Sequence, residues 1–233
     1  MRKPIALFDI DNTIYDGFSY FALLQKHVDE KLIQPAVLDN ALKSMQAYKI
    51  GQKDYETVIV ELLDIYALGL QGASYQDVLR STQEFYANST KFFEFVRPVM
   101  AQFRSSHDLR LVTGEPQFVA EAVASVFDVG AYSSSEYELS QGVFTGKVAR
   151  YLASRDEKLD AIKHFINGYE TESSFAFGDS EGDIEMLRSV RYAICLNATE
   201  GLQKVAKKEG WQLPTLNEVE PLVAQLLANN RQQ

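Results

Sequence analysis

Short apolar runs alternate with longer helical patterns along the chain. Four runs, residues 5–8, 109–112, 175–177 and 192–196, are too short and too continuously apolar for strands exposed on one face. Strands of this kind are covered by helices on both faces, as in parallel sheets. The alternation of strands and helices therefore predicts an α/β fold with a parallel sheet.

Between residues 16 and 91 the pattern changes and contains no convincing strand. Apolar residues recur at the i, i+3, i+4, i+7 spacing of one buried helix face. Four stretches follow this spacing: Phe18/Phe21/Ala22/Val28, Leu38/Ala41/Leu42/Met45, Tyr55/Val58/Ile59/Leu62/Tyr66 and Val78/Leu79/Thr82/Phe85/Tyr86. We therefore expect a helical domain over residues 16–94, inserted into a core of residues 1–15 and 95–233. Two β-prone arms around Gly142, within residues 137–146, predict a hairpin.

Composition narrows the functional classes. The 233 residues include 23 Lys and Arg against 32 Asp and Glu, which gives a net charge of -9. This charge argues against nucleic acids and anionic membranes as partners, because phosphate affinity comes largely from clustered basic residues. A single cysteine, Cys195, excludes an internal disulfide. Neither a signal peptide nor a membrane span is evident, so we expect a cytoplasmic protein.

A pair of carboxylates follows the first apolar run. Asp9 and Asp11 stand at alternate positions of DIDNT, residues 9–13. Alternate residues of a strand face one side, and open α/β sheets bind ligands at the carboxyl ends of their strands. Neighbouring carboxylates repel each other unless a cation lies between them or one holds a proton. The alternative is a solvated turn with Asn12 and Thr13 as ordinary loop residues.

A second acidic segment, GDSEGD at residues 178–183, also follows an apolar run and precedes a helical one. Asp183 can be explained without a catalytic or metal-binding role, as the acid that completes a capping box with Ser180. That explanation leaves out Asp179, which lies at the strand exit. Oxygen-rich clusters without cysteine are suited to Mg²⁺.

Two weaker signals lie between the acidic segments. In VTGEP, residues 112–116, Thr113 and Gly114 precede a helix that opens with Pro116, where a hydroxyl and free amides can hold a phosphate. An ordinary N-cap with proline in the first turn is the alternative. Lys158 lies near another helix start, and a single lysine is usually a solvated surface residue. These two signals gain significance from the order of the segments along the chain, which is acid pair, hydroxyl, lysine, acid pair.

This order resembles the four motifs of the haloacid dehalogenase superfamily, chiefly phosphatases that work through a phosphorylated aspartate. The helical insertion resembles the cap of the phosphoserine-phosphatase-like subclass, and the resemblance covers nearly the whole chain. It implies a Rossmann-like parallel core with an inserted all-helical cap. It further implies an enzyme that hydrolyses a small phosphorylated metabolite with Mg²⁺ as cofactor.

The resemblance implies a role for each motif residue. Asp9 would be the nucleophile that forms the aspartyl-phosphate, and Asp11 the general acid and base. Thr113 and the Gly114 amide would hold the phosphoryl oxygens, whose charge Lys158 would offset. Mg²⁺ would be held by Asp9, the backbone carbonyl of Asp11, Asp179 and, directly or through water, Asp183.

The chain departs from the phosphoserine enzymes at two positions. Those enzymes carry a glutamate for the substrate ammonium where alignment puts Phe18, and a cap arginine for the substrate carboxylate. Residues 16–94 contain a single arginine, Arg80, which lies late in the insertion. Tyr15, Asp16 and Phe18 are candidates to line a pocket that faces the leaving group. Alternatively, Tyr15 and Phe18 simply pack the hinge and the cap.

Three other functions use the same residues or the same fold. A phosphotransferase would pass the phosphoryl group to another acceptor, and the motifs do not distinguish it from a phosphatase. A phosphoserine phosphatase is disfavoured by the departures at Phe18 and Arg80. A non-catalytic binding module is expected to have lost a motif carboxylate, and none is missing. The oligomeric state is not evident from the sequence.

Overall fold

A six-stranded sheet lies at the centre of the computed structural model, which describes residues 2–230. Met1 and residues 231–233 of the expected core lie outside the described range. The strands are β1 Pro4–Phe8, β2 Asp108–Pro116, β3 Ala131–Ser140, β4 Val143–Arg150, β5 Glu170–Gly178 and β6 Tyr192–Cys195. Their order is β4-β3-β2-β1-β5-β6, and every neighbouring pair is parallel except β3 and β4. The prediction of an α/β fold with a parallel sheet is confirmed.

Ten helices accompany the sheet within residues 2–230. They are α1 Tyr20–Asp29, α2 Pro35–Lys49, α3 Tyr55–Gly69, α4 Tyr75–Ala87, α5 Val96–Phe103, α6 Gln117–Phe127, α7 Arg155–Ile166, α8 Ile184–Arg188, α9 Glu200–Glu209 and α10 Val219–Asn230. Short 3₁₀ turns, Glu181–Asp183 and Leu216–Glu218, precede α8 and α10. In this part of the chain, none of the helices is both long and apolar enough to cross a membrane.

The central strand β1 is buried on both faces. Its alternate residues pack into two different clusters: Ile5 and Leu7 into one, Ala6 and Phe8 into the other. Phe8 stacks on Phe177 of β5, with ring centroids 4.5 Å apart. This double burial explains why the run is continuously apolar rather than alternating with polar residues.

Strand β2 is longer than the apolar run predicts. It continues through VTGEP to Pro116, and α6 begins only at Gln117. The prediction that the helix opens with Pro116 is therefore wrong, because Pro116 keeps an extended backbone, with ψ of 156°. Thr113 and Gly114 consequently lie within the strand and not at a helix start.

The chain between β1 and α5 folds as helices α1 to α4, and no strand occurs in this described stretch. The four periodic stretches thus predict the four helices correctly. Three positions assigned to buried helix faces are instead exposed: Phe18, which precedes α1, Ala22 on α1 and Leu42 on α2, of which Leu42 is 49% exposed. The pattern fails at Leu42 because α2 packs mainly on α3, so that only a narrow face of α2 is buried.

The hairpin β3–β4 is present and contacts the four-helix segment. Its tip, Gln141 and Gly142, has positive φ at both positions, as a tight hairpin turn requires. The Tyr75 amide donates to the Gly142 carbonyl at 2.9 Å. Beside it, the Gly72 amide donates to Phe144 O at 2.9 Å and the Phe144 amide donates to Ala73 O at 3.0 Å. We call this backbone pairing of residues 72–75 with residues 142–144 the seam.

Candidate active site

Three of the four motif segments meet where adjacent parallel strands end. Asp9 follows β1, Thr113 lies near the end of β2, and Asp179 follows β5. Because β1 lies between β2 and β5, these residues share one edge of the sheet. The Asp9 amide donates to Phe177 O at 3.0 Å, which holds Asp9 in the sheet one residue beyond β1.

Lys158 lies in the first turn of α7 and contacts two carboxylates. Its Nζ donates to Asp9 Oδ1 at 2.9 Å and to Asp183 Oδ1 at 2.6 Å. The Lys158 side chain is 6% exposed, so it is not an ordinary surface lysine. Burial by itself lowers the pKa of Lys158, but Asp183 and Asp9 outweigh burial and raise the pKa above its usual value. Lys158 is therefore charged.

A capping box fixes the start of α7 and with it the position of Lys158. The Glu157 amide donates to Ser154 Oγ at 3.3 Å, and the Ser154 amide donates to Glu157 Oε2 at 2.9 Å. These bonds satisfy backbone amides that a helix start leaves without partners. The helix consequently begins at a defined residue and presents Lys158 to the edge of the sheet.

Asp183 uses its two oxygens for two purposes. Oδ1 contacts Lys158, whereas Oδ2 accepts the amides of Asp179 at 3.0 Å and Ser180 at 3.2 Å. The capping box proposed from the sequence is therefore present, and it coexists with the contact to Lys158. Gly178 permits this arrangement, since a Cβ there would lie 2.5 Å from Asp183 Cβ.

Asp9, Asp179 and Asp183 form a buried acidic cluster. One carboxylate oxygen from each lies within 4.8 Å of the others. Burial raises the pKa of Asp179, and the charges of Asp183 and Asp9 raise it further. Burial also raises the pKa of Asp9, against the opposing effect of Lys158. Three carboxylates face one lysine, so the cluster carries an excess of negative charge.

Asp11 is held on both carboxylate oxygens by a single residue, Ser19. The Ser19 hydroxyl donates to Oδ1 at 2.9 Å and the Ser19 amide donates to Oδ2 at 3.1 Å. Glu115 is 7% exposed and lies against the same carboxyl group. Burial raises the pKa of Glu115 well above its usual value, and the charge of Asp11 raises it further. Asp11 and Glu115 thus share a buried, acidic part of the site.

Thr113 and Gly114 line the cavity beside these acids. The Glu115 amide donates to Thr113 Oγ1 at 3.2 Å, and Ser135 Oγ donates to the Gly114 carbonyl at 2.7 Å. A Cβ on Gly114 would lie 3.4 Å from the backbone of the segment that leads into α7, which is an ordinary van der Waals distance. Gly114 therefore lies directly beside the segment that leads to Lys158.

The cavity at this edge has a volume of about 100 Å³. Its apolar wall comes from α1, α3 and the segment before α1: Phe18, Tyr20, Ile59, Leu62 and Leu63. The rings of Phe18 and Tyr20 stack with centroids 5.6 Å apart. Among the described residues that line the cavity, Lys158 is the one basic side chain. Arg80 is exposed on α4 and pairs with Asp77, outside this cavity.

The three residues proposed to face the leaving group have different positions. Phe18 lines the cavity and is 38% exposed. Tyr15 is 2% exposed, and its ring packs edge-on against Tyr86 and Phe92 in the hydrophobic core. Asp16 is exposed to solvent. In contrast to the prediction, neither Tyr15 nor Asp16 lines the cavity, because the turn after β1 directs one inward and the other outward.

Comparison with known proteins places this geometry in a family. Residues 6–188 match the haloacid dehalogenase-like hydrolases. The chain belongs to this family. A histidinol-phosphatase of Neisseria meningitidis is 24% identical to this hydrolase over 92% of the chain and 99% of its own length. With its phosphatase relatives, the family membership makes the chain a phosphoric monoester hydrolase.

Solved structures share the fold of this hydrolase. A protein of unknown function from Bordetella pertussis superimposes with a TM-score of 0.75 at 23% identity, covering 93% of this chain and 100% of that one. A phosphoserine phosphatase, solved as a phospho-aspartyl intermediate analogue, gives a TM-score of 0.62 at 15% identity, covering 88% and 91%. The hydrolase fold inferred from the four motifs is confirmed.

Three buried residues at the site of this hydrolase are not identified by the sequence analysis: Ser19, Tyr86 and Glu115. Glu115 carries a usable signal, since it lies two residues beyond Thr113 on a strand and faces the same side. Ser19 and Tyr86 are 67 residues apart and are brought together by α1 and α4. No local pattern in the sequence points to that contact.

Proposed function

We propose that this hydrolase is a Mg²⁺-dependent phosphatase that cleaves small phosphomonoesters through a phosphorylated Asp9. The observation that carries the proposal is the position of Asp9, which is 6% exposed at the end of the central strand. Its carboxylate lies between a charged lysine and two further carboxylates. A nucleophile placed beside cationic groups is what phosphoryl transfer requires, since positioning and charge neutralisation dominate its catalysis.

The acidic cluster fits Mg²⁺. It offers carboxylate oxygens and no sulfur or imidazole, which is the donor set that Mg²⁺ prefers. Asp9 and Asp179 would be direct ligands together with the Asp11 backbone carbonyl. Asp183 would act through water, since its two oxygens already accept hydrogen bonds. When bound, the ion would neutralise the phosphoryl charge and the excess charge of the cluster.

The reaction then proceeds in two displacements. An oxygen of Asp9 attacks phosphorus, the phosphorus–oxygen ester bond breaks, and the leaving alkoxide takes a proton from Asp11. Water next attacks the aspartyl-phosphate and gives a proton to Asp11, which releases inorganic phosphate and restores Asp9. Thr113 and the Gly114 amide would hold phosphoryl oxygens, and Lys158 would offset their charge.

The same proposal assigns the domains. Residues 16–94 would form the cap, and residues 1–15 and 95–233 the catalytic core. The cap would close over the substrate, because α1 and α3 supply the apolar wall that faces the acidic edge. A wall this close favours small metabolites over phosphoproteins. A cytoplasmic location, which the sequence predicts, belongs to this proposal.

The cavity wall favours a substrate without a carboxylate. The wall consists of aromatic and aliphatic side chains, and Lys158 already contacts Asp9 and Asp183. A buried carboxylate of phosphoserine would lack a partner, and an unpaired buried charge costs several kcal/mol. Histidinol phosphate, the compound in the relative's name, carries an aromatic ring and no carboxylate. We therefore rank histidinol phosphate above phosphoserine.

The test is phosphate release from a panel of phosphorylated metabolites, with and without Mg²⁺. The wild type should hydrolyse at least one small ester in Mg²⁺ and none in excess chelator. Asp9→Asn should abolish turnover, whereas Asp39→Asn, an exposed substitution on α2, should leave it unchanged. Turnover by Asp9→Asn would refute the mechanism. Preferential transfer of the phosphoryl group to an added alcohol would favour the phosphotransferase. If phosphoserine were the best substrate, the inference that the apolar wall disfavours a substrate carboxylate would be refuted.

A further inference from the structure

Ser19 occupies a position where serine usually caps a helix, yet it does not cap α1. It directly precedes Tyr20, and its side chain makes no hydrogen bond to the amides of the first turn. Its hydroxyl and its amide both donate to Asp11 instead, at 2.9 Å and 3.1 Å. Ser19 is 1% exposed. A helix start is thus used to orient the carboxyl group of Asp11.

Tyr86 on α4 extends this contact. Its hydroxyl lies 2.8 Å from Ser19 Oγ. The Ser19 hydroxyl has one hydrogen, which it donates to Asp11 Oδ1, so the hydrogen between Ser19 and Tyr86 belongs to Tyr86. Burial keeps the pKa of Tyr86 well above its usual value, so the phenol remains a donor. The bonds therefore run from Tyr86 to Ser19 and from Ser19 to Asp11.

The ring of Tyr86 has a fixed place. It is 1% exposed and packs edge-on against Tyr15 at 5.6 Å and against Phe85 at 5.0 Å between centroids. Its hydroxyl is consequently directed at Ser19 by packing in the helical segment. The orientation of Asp11, which belongs to the turn after β1, thus depends on a residue of α4.

We propose that Ser19 and Tyr86 are positioning residues that aim the Asp11 carboxyl at the leaving-group oxygen. The proposal rests on the phosphatase mechanism above, in which Asp11 is the general acid. It adds that the helical segment, besides walling the cavity, sets the geometry of proton transfer. Hydrogen bonds on both oxygens restrict rotation of the carboxyl group, and loss of either bond lets it turn away.

The consequence depends on the leaving group. p-Nitrophenol leaves as a stable anion and needs little protonation, whereas the alkoxide of benzyl alcohol must receive a proton. p-Nitrophenyl phosphate and benzyl phosphate are similar in size and carry no carboxylate. The value of kcat/KM reports the steps up to ester cleavage and excludes the later attack of water. Misplacement of the acid should therefore lower kcat/KM for benzyl phosphate more than for p-nitrophenyl phosphate.

The test compares both substrates in Tyr86→Phe, Ser19→Ala and Ser19→Thr. Since general acid catalysis contributes about 10²–10⁴-fold, Ser19→Ala should lower kcat/KM about 100-fold for benzyl phosphate and less than about 10-fold for p-nitrophenyl phosphate. Tyr86→Phe should lower the benzyl value about 10-fold with little aryl effect. Ser19→Thr keeps the hydroxyl and should restore most of the benzyl activity.

Tyr66→Phe is the matched control, because it removes another buried phenol of the helical segment, one that contacts His27 and not Asp11. It should leave the ratio of the two substrates unchanged. Equal losses on both substrates in Ser19→Ala and Tyr86→Phe, or a changed ratio in Tyr66→Phe, would overturn the positioning role while the phosphatase mechanism stands. Failure of the wild type to hydrolyse these two esters and every metabolite of the panel would overturn both. Circular dichroism and Tm identify any variant that fails to fold.

Discussion

His27 provides a quantitative test of the packing inside the helical segment. It is fully buried on α1, between Tyr66 of α3 and Thr82 of α4. Tyr66 Oη lies 2.7 Å from Nδ1, and Thr82 Oγ1 lies 3.2 Å from Nε2. Thr82 donates its hydrogen to Val78 O at 2.7 Å, so it accepts from Nε2–H. Nδ1 then accepts from Tyr66, and the surroundings match the neutral imidazole.

Protonation of His27 therefore opposes folding. A hydrogen on Nδ1 would face the Tyr66 hydroxyl, which already donates there, and the charge would be buried. Burial lowers the pKa of His27 from 6.5 to about 4. Below pH 6.5 the unfolded chain binds a proton that the folded chain excludes, so stability falls as the pH falls towards 4. At about 1.4 kcal/mol for each pKa unit, the complete loss is about 3 kcal/mol, and about 2 kcal/mol of it is lost by pH 4.5.

The assay is urea denaturation followed by circular dichroism at pH 7 and pH 4.5, for the wild type and His27→Gln. Glutamine does not titrate, and its amide can accept from Tyr66 and donate to Thr82. Other groups titrate in both proteins, so the difference between the two proteins isolates His27. The wild type should lose about 2 kcal/mol more than His27→Gln between the two pH values. Equal losses would show that His27 is protonated in the folded protein and would refute this description of its surroundings.

Three further predictions concern the acidic edge. Gly178→Ala should lower stability by about 1–3 kcal/mol and weaken Mg²⁺ binding, because the new Cβ displaces Asp183; urea denaturation and calorimetric titration measure the two effects. Asp179→Ala should weaken Mg²⁺ binding more than Lys158→Ala in the same titration, since Asp179 is the proposed ligand, and the reverse order would contradict the ligand set. Ser154→Ala should cost about 1 kcal/mol of unfolding free energy through loss of the α7 capping box, and an unchanged urea midpoint would contradict that role.

The sequence predicts the parts of the fold that depend on local periodicity. The apolar runs locate β1, β2, β5 and β6 because these strands are buried on both faces, and the 3.6-residue pattern locates α1 to α4. The end of β2 is missed, because the polar residues Thr113 and Glu115 hide the continuation of the strand. Leu42 is misassigned because periodicity predicts which face of a helix is buried but not how wide a face the neighbouring helix covers.

The site is predictable to the extent that its residues follow strands. Asp9, Thr113 and Asp179 belong to strand ends, and parallel strands bring their ends together. Tyr15 and Asp16 follow Asp9 within one short segment of the sequence, but a turn separates them from the cavity. The distant contacts, of Tyr86 with Ser19 and of Lys158 with Asp183, depend on how helices dock, and no short-range pattern encodes docking.

The seam determines what can be exchanged between relatives of this hydrolase. The helices that form the apolar wall of the cavity are continuous in sequence, but residues 72–75 pair through their backbone with residues 142–144 of the β3–β4 hairpin. Backbone hydrogen bonds left unpaired at such a junction are costly whatever the side chains. A chimera that takes a new specificity from a relative therefore has to transplant two pieces, the helical segment and the hairpin tip that receives it. We therefore expect substrate preference to depend on two separate parts of the sequence.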